Sequence, residues 1–163
     1  DVVQWAQLDA SPTVLRAEGH VLVGAAMMDA ALRLAGSIDA VAGVELGGCS
    51  LASAVACHSF AQGKPLDAVY VRKAQKGHGT QRLLEGAAHL APGARLVVLE
   101  DTVTTGGSTL RAVAQIREAG FTVAGVVSVV DRLEGGVAAM AEAGVPYVSL
   151  YTRTDFMTEE QPA

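Results

Sequence analysis

The sequence predicts an α/β fold: a doubly wound, mostly parallel sheet with helices on both faces, carrying one flexible basic loop. Strand-like apolar runs alternate with helical stretches of roughly 10 to 15 residues, the rhythm of βαβ units. The runs are apolar at successive positions, as strands covered on both faces must be. Glycines mark the junctions.

The elements follow in order along the chain. Ser11-Pro12 signals a helix start, because proline is tolerated in a first turn. Val14, Leu15, Val21, Leu22, Ala25, Met28, Leu32 and Ala35 then keep helical spacing until Gly36. Asp39 to Val44 reads as a buried strand. Gly47-Gly48 turns the chain into a second helix over Leu51 to Ala61, stopped by Gly63. Asp67 to Arg72 is the next strand, followed by a basic, glycine-rich, non-periodic segment from Lys73 to Gln81 and a second glycine-containing stretch. Arg95 to Leu99 is the clearest strand. A loop from Glu100 to Gly107, a helix to Ala119 and a Gly120 cap come next. Strand Phe121 to Val130, a helix over Gly135 to Ala143, a Gly144 cap and strand Val145 to Tyr151 complete the pattern. No repeat, low-complexity run or Pro/Gly-rich linker divides it, so residues 1–163 are expected to form a single domain.

Composition removes several functional classes. Half of the 163 residues are apolar and 18% are charged, which excludes a disordered chain. The longest nearly apolar stretch, Ala119 to Val130, is 12 residues, well short of the roughly 20 that a membrane helix needs. Aromatic residues make up 4%, too few for stacking platforms along single-stranded nucleic acid. The net charge of −5 is unevenly spread: residues 64–82 hold five cations against one acid, +4, leaving −9 elsewhere. One short basic island on an acidic chain suits a small polyanion better than a long DNA backbone. Cys49 and Cys57, with His58 adjacent, match no zinc spacing and read as buried small hydrophobes. The absence of a disulfide framework or an apolar leader points to a reducing, cytoplasmic setting. His20, His58 and His89 lack partner constellations and read as structural. Trp5 is expected to cover the core or a dimer contact.

In a parallel sheet, ligands bind at the carboxyl ends of strands. After Leu96-Val97-Val98-Leu99 come Glu100 and Asp101, then Thr102-Val103-Thr104-Thr105-Gly106-Gly107-Ser108-Thr109, opening a helix. Hydroxyls and unobstructed N–H groups at a helix N-terminus form a phosphate cradle. Paired carboxylates at a strand end suit a diol such as two ribose hydroxyls, or a hydrated Mg²⁺. An acidic strand of a P-loop NTPase is excluded, because no G-x-x-x-x-G-K-[ST] occurs. The second stretch, Arg72-Lys73-Ala74-Gln75-Lys76-Gly77-His78-Gly79, holds three cations and a histidine at spacings that fit neither helix face nor strand alternation. Beside a phosphate cradle it reads as a mobile loop closing on an anion. Third, Asp131-Arg132-Leu133-Glu134-Gly135 follows a strand end, where a guanidinium can grip a carboxylate with two parallel bonds.

These residues carry a resemblance. Glu100 to Thr109 resembles the phosphoribosyl-pyrophosphate (PRPP) motif of type I phosphoribosyltransferases: apolar strand, two acids, then Thr-Thr-Gly-x-Ser. It implies that Glu100 and Asp101 meet the ribose hydroxyls. It also implies that Thr102, Val103, Thr104, Thr105, Gly106, Gly107 and Ser108 contact PRPP, with Thr104 to Ser108 at the 5′-phosphate. Arg72 to Gly79 resembles the Arg-Lys-x-x-Lys-x-His-Gly loop of orotate phosphoribosyltransferases, which implies PRPP contacts for Arg72, Lys73, Lys76 and His78. In that family the loop often closes over the neighbouring subunit's site in a homodimer. Asp131 to Gly135 resembles the segment whose arginine binds the orotate carboxylate, which implies orotate binding by Arg132, with Thr104 beside it. Gly43 to Ala56 resembles the loop near pyrophosphate, although some members carry Tyr-Lys where Leu46-Gly47 stand.

The resemblance thus implies transfer of phosphoribose from PRPP to orotate, giving orotidine 5′-monophosphate and pyrophosphate in pyrimidine (UMP) biosynthesis. Lys73, Lys76 and His78 would act on the leaving group and Asp101 on the ribose as catalytic residues. Mg²⁺ would be carried by PRPP without a direct protein ligand. The family usually opens with a helix and a Gly-Arg-x-Ser-x-x-Tyr segment that helps enclose both substrates. The resemblance implies that this wall of the site lies before Asp1. Two rivals stay open: a phosphoribosyltransferase for another base, and a non-catalytic PRPP-binding regulator.

Overall fold

The computed structural model describes residues 14–73 and 83–156. Ser11-Pro12, Trp5 and the centre of the basic segment, Lys76 and His78 included, lie outside them.

Within the described residues, helix α1 (Ala17–Ala35) buries Val23, Met27, Met28 and Ala31, one stripe at helical spacing. It ends at Gly36, which takes φ 70° and donates its N–H to Leu32 O at 2.9 Å. Strand β1 (Ala40–Val44) leads to helix α2 (Gly47–Ala61), then to strand β2 (Asp67–Val71) and a two-residue strand β3 (Leu84–Glu85). Strand β4 (Arg95–Val103), helix α3 (Gly107–Glu118), strand β5 (Thr122–Asp131), helix α4 (Gly136–Glu142) and strand β6 (Tyr147–Thr152) follow.

The strands form one sheet in the order β3-β2-β1-β4-β5-β6, parallel throughout except for the β2–β3 pair. Strand alternation divides the core. Val41, Val97, Leu99 and Val127 meet α1 and α2 on one face. Ala40, Ala42, Val44, Leu96, Val98 and Val126 pack with Ala112, Val113 and Ile116 of α3 and Met140 of α4 on the other. The predicted doubly wound sheet is therefore the observed one, and every residue of β1 is buried because both faces are covered.

Several boundaries differ from the sequence reading. Strand β4 runs to Val103 and takes in Glu100 and Asp101, expected in a loop, because pairing with β5 continues from Glu100↔Ser128 to Val103↔Asp131. Helix α2 begins at Gly47 and not near Leu51. Strand β3 was not anticipated; two residues leave no periodic signal. Cys57 is exposed and Cys49 half-buried, so neither is the buried hydrophobe expected; both thiols are unpaired.

The strand order reverses between β1 and β4: the chain winds outward from β1 through β2, then crosses to β4 and winds the other way. At such a switch point the loops leaving the two strands part to opposite faces and open a crevice.

Candidate active site

The crevice is a cleft of about 620 Å³ above the carboxyl ends of β1, β2 and β4. Three segments build it. The first is Glu45 to Gly48, leaving β1 through a cis Glu45–Leu46 peptide. Two glycines are forced here by close approach. A Cβ on Gly43 would lie 2.1 Å from Gly48 O, and one on Gly48 would lie 2.3 Å from Leu99 O. Glycine lets α2 start against the sheet, so its N-terminus faces the cleft.

The second segment is the end of β4. Successive side chains on a strand point to opposite faces, and Glu100 and Asp101 do so. Glu100 turns toward α3, where Thr109 Oγ1 donates to its Oε1 at 2.8 Å. Asp101 turns toward α2, its Oδ2 lying 2.0 Å from where a Cβ on Gly47 would be. Asp101 Oδ1 accepts the Thr102 N–H at 2.8 Å. Both acids line the cleft, one from each side of the strand. Burial pushes the Glu100 carboxyl up to about 7, with Asp101 adding to the rise while Thr109, Lys73 and Ser108 oppose it.

Beyond β4, Thr104 and Thr105 lead to Gly106, whose φ of 82° sits at the N-cap of α3. Ser108, in the first turn of α3, lines the cleft. Val103 is buried, and its carbonyl accepts the Arg132 N–H at 3.0 Å. What Val103 can offer a ligand is backbone alone.

The third segment is the end of β2. Lys73 lines the cleft, and its N–H donates to Glu45 Oε2 at 3.0 Å. Arg72 is tied to the β2–β3 pair: its N–H donates to Leu83 O at 2.9 Å and its Nη1 bonds Glu85 Oε1 at 2.7 Å. At the end of β5, Asp131 is buried and accepts the Leu133 N–H at 2.8 Å. That bond shapes a turn in which Leu133 has φ 59° and presents Arg132, whose Nε lies 3.1 Å from Glu134 Oε1. The structure thus brings together Lys73, Glu100, Asp101, Thr102 and Ser108. Lys76 and His78 lie outside the described residues.

Sequence reasoning gave no site role of their own to Glu45 and Thr109, although both lay in segments it singled out, and it read Cys49 as a buried hydrophobe. Glu45 had a usable signal, an acid just past the carboxyl end of a buried strand. Cys49 lines the cleft, its thiol pushed up first by burial, then by Glu45 and Glu100. Among the described residues, no group of three His, Cys, Asp or Glu side chains could hold a metal ion, and no helix is long and apolar enough to cross a membrane.

A doubly wound sheet with an acid pair, hydroxyl loop and glycine-capped helix at its switch point defines a phosphoribosyltransferase. The phosphoribosyl transferase domain family model matches residues 5–143. The orotate phosphoribosyltransferase of Sorangium cellulosum is 54% identical over 155 residues, covering 95% of this chain and 80% of that protein. That of Thermosynechococcus vestitus is 43% identical, over 91% and 76%. The Mycobacterium tuberculosis orotate phosphoribosyltransferase solved in complex with PRPP superposes with a TM-score of 0.78 at 33% identity, covering 91% of this chain and 82% of that one. The chain belongs to the orotate phosphoribosyltransferase family.

Proposed function

We infer that this chain transfers the phosphoribosyl group of PRPP to orotate, releasing pyrophosphate and forming orotidine 5′-monophosphate, a step of pyrimidine biosynthesis. The observation that carries the reading is the cleft that brings Lys73, Glu100, Asp101, Thr102 and Ser108 together; Arg132 follows the end of the neighbouring strand on the Asp131–Leu133 turn, outside that lining. The family match over most of the chain supports it.

The N1 nitrogen of orotate forms a bond to C1 of the ribose as the C1–O bond to pyrophosphate breaks. The electron pair of the broken bond leaves on the pyrophosphate oxygen, and N1 loses its proton. Positive charge grows on the ribose ring in between. Asp101, with Glu100, holds the ribose hydroxyls and favours that charge electrostatically. Thr104 to Ser108 hold the 5′-phosphate, where the first N–H groups of α3 are unpaired within the helix. Arg72, Lys73, Lys76 and His78 draw in the departing pyrophosphate, with one of the basic-loop groups supplying a proton to it. Arg132 takes the orotate carboxylate, with Thr104 beside the base.

Mg²⁺, a hard cation, would be carried on PRPP oxygens and water, without a direct protein ligand. It would supply neutralising charge to the pyrophosphate. The working form is a homodimer whose basic loop reaches the neighbouring site, in the cytoplasm; the two unpaired cysteines are compatible with that reducing setting.

Arg132→Ala tests the assignment of the base. A buried guanidinium–carboxylate pair contributes about 2 kcal/mol or more, so KM for orotate should rise at least about tenfold while KM for PRPP stays within twofold. An equal loss for both substrates would remove Arg132 from base recognition.

A further inference from the structure

The acid end of β4 is fastened to α3 by a buried bond that none of the roles above uses. Thr109 is 1% exposed and donates its hydroxyl to Glu100 Oε1 at 2.8 Å. Alternation explains the meeting: Leu96 and Val98 face α3, so Glu100, two residues further on, faces it too, at the level of that helix's first turn. Glu100 lines the cleft and Thr109 does not. The hydroxyl therefore meets the carboxylate from behind, where no substrate reaches.

We propose that Thr109 is a positioning residue for PRPP, its hydroxyl fixing the Glu100 carboxylate in the orientation that faces the ribose. The inference rests on the reading that Glu100 meets the ribose hydroxyls. Among the described residues, the titratable groups facing Glu100 are Asp101 on its own strand, Lys73 at the end of β2 and Cys49 on α2. Strand β5 sets the neutral Ser128 opposite it, and α3 presents the hydroxyls of Thr109 and Ser108. Of the influences that lower the Glu100 carboxyl against burial, the Thr109 bond is the largest. Of the two hydroxyls that meet this buried acid, Thr109 has the larger influence, so loss of its donor should alter both the rotamer and the charge of Glu100.

Thr109→Val keeps the side-chain shape and deletes the donor; Thr109→Ser keeps the donor. The Glu100 carboxyl would be titrated by ¹³C NMR in the full chain, and PRPP affinity measured by calorimetry at pH 7 with Mg²⁺ present. T109V should move the Glu100 midpoint up by about one pH unit and weaken PRPP about fivefold at pH 7, as the ionised fraction falls. T109S should restore both. If T109V does not fold, Thr109→Ala removes the same donor and serves in its place. A midpoint that stays put, a midpoint that moves without any change in PRPP affinity, or a T109S protein that behaves as T109V would overturn the proposal. Glu100→Gln separates the underlying reading: it should bind PRPP at least tenfold more weakly. If it binds normally, Glu100 has no part in holding the ribose, and the inference falls with it. If it binds weakly while T109V matches the wild type, only the role of Thr109 is lost.

Discussion

Glu100 shows how a single residue sets function against stability. Its carboxyl sits at about 7 in the folded chain against an ordinary 4.5, with burial the leading cause. Between those values the native state holds the proton and the unfolded state does not, so stability falls as pH rises through that window. The contribution is complete below about 4.5 and lost above about 7, a change on the order of 3 kcal/mol at most. Glu100→Gln stays neutral and can still accept the Thr109 hydroxyl. By calorimetry it should melt about 5 °C above the wild type at pH 8 and level with it at pH 4.5. Equal melting temperatures at pH 8 would mean that burying the charge costs nothing. The acid pair itself was legible in the sequence, because two carboxylates closing an apolar run have few structural uses. Their division between the two faces of the sheet was not, since it depends on β4 continuing as a strand through both residues.

At the scale of elements, the β1–α2 junction sets the shape of the cleft. Gly47 and Gly48 were readable as a turn, but glycine weakens a helix, so sequence alone placed the helix start near Leu51. Close packing explains the earlier start at Gly47. With Gly48 pressed on the Leu99 carbonyl and Gly43 on Gly48, any side chain must push backbone from backbone. Gly48→Ala should therefore lower the unfolding free energy by on the order of 3 kcal/mol, read from urea denaturation. A loss under about 0.5 kcal/mol would show that the junction can relax. The extension of β4 was hidden for a related reason: Glu100 and Asp101 have weak strand preference, and their pairing with β5 keeps them extended.

For the whole molecule, apolar runs and glycine punctuation were enough to expect a parallel sheet covered on both faces. They do not specify strand order, which follows from how α1 and α2 cover one face and α3 and α4 the other. That order creates the switch point, and the switch point brings Glu45 and Lys73 to the acids of β4, segments far apart in the chain. The central claim is that this crevice joins PRPP to orotate. It is tested most directly by mixing the chain with orotate, PRPP and Mg²⁺ and following orotate's ultraviolet absorbance. A loss of absorbance that requires both PRPP and Mg²⁺, and that reverses on adding pyrophosphate with the nucleotide product, is the predicted result. Unchanged absorbance, with PRPP binding still measurable by calorimetry, would contradict it.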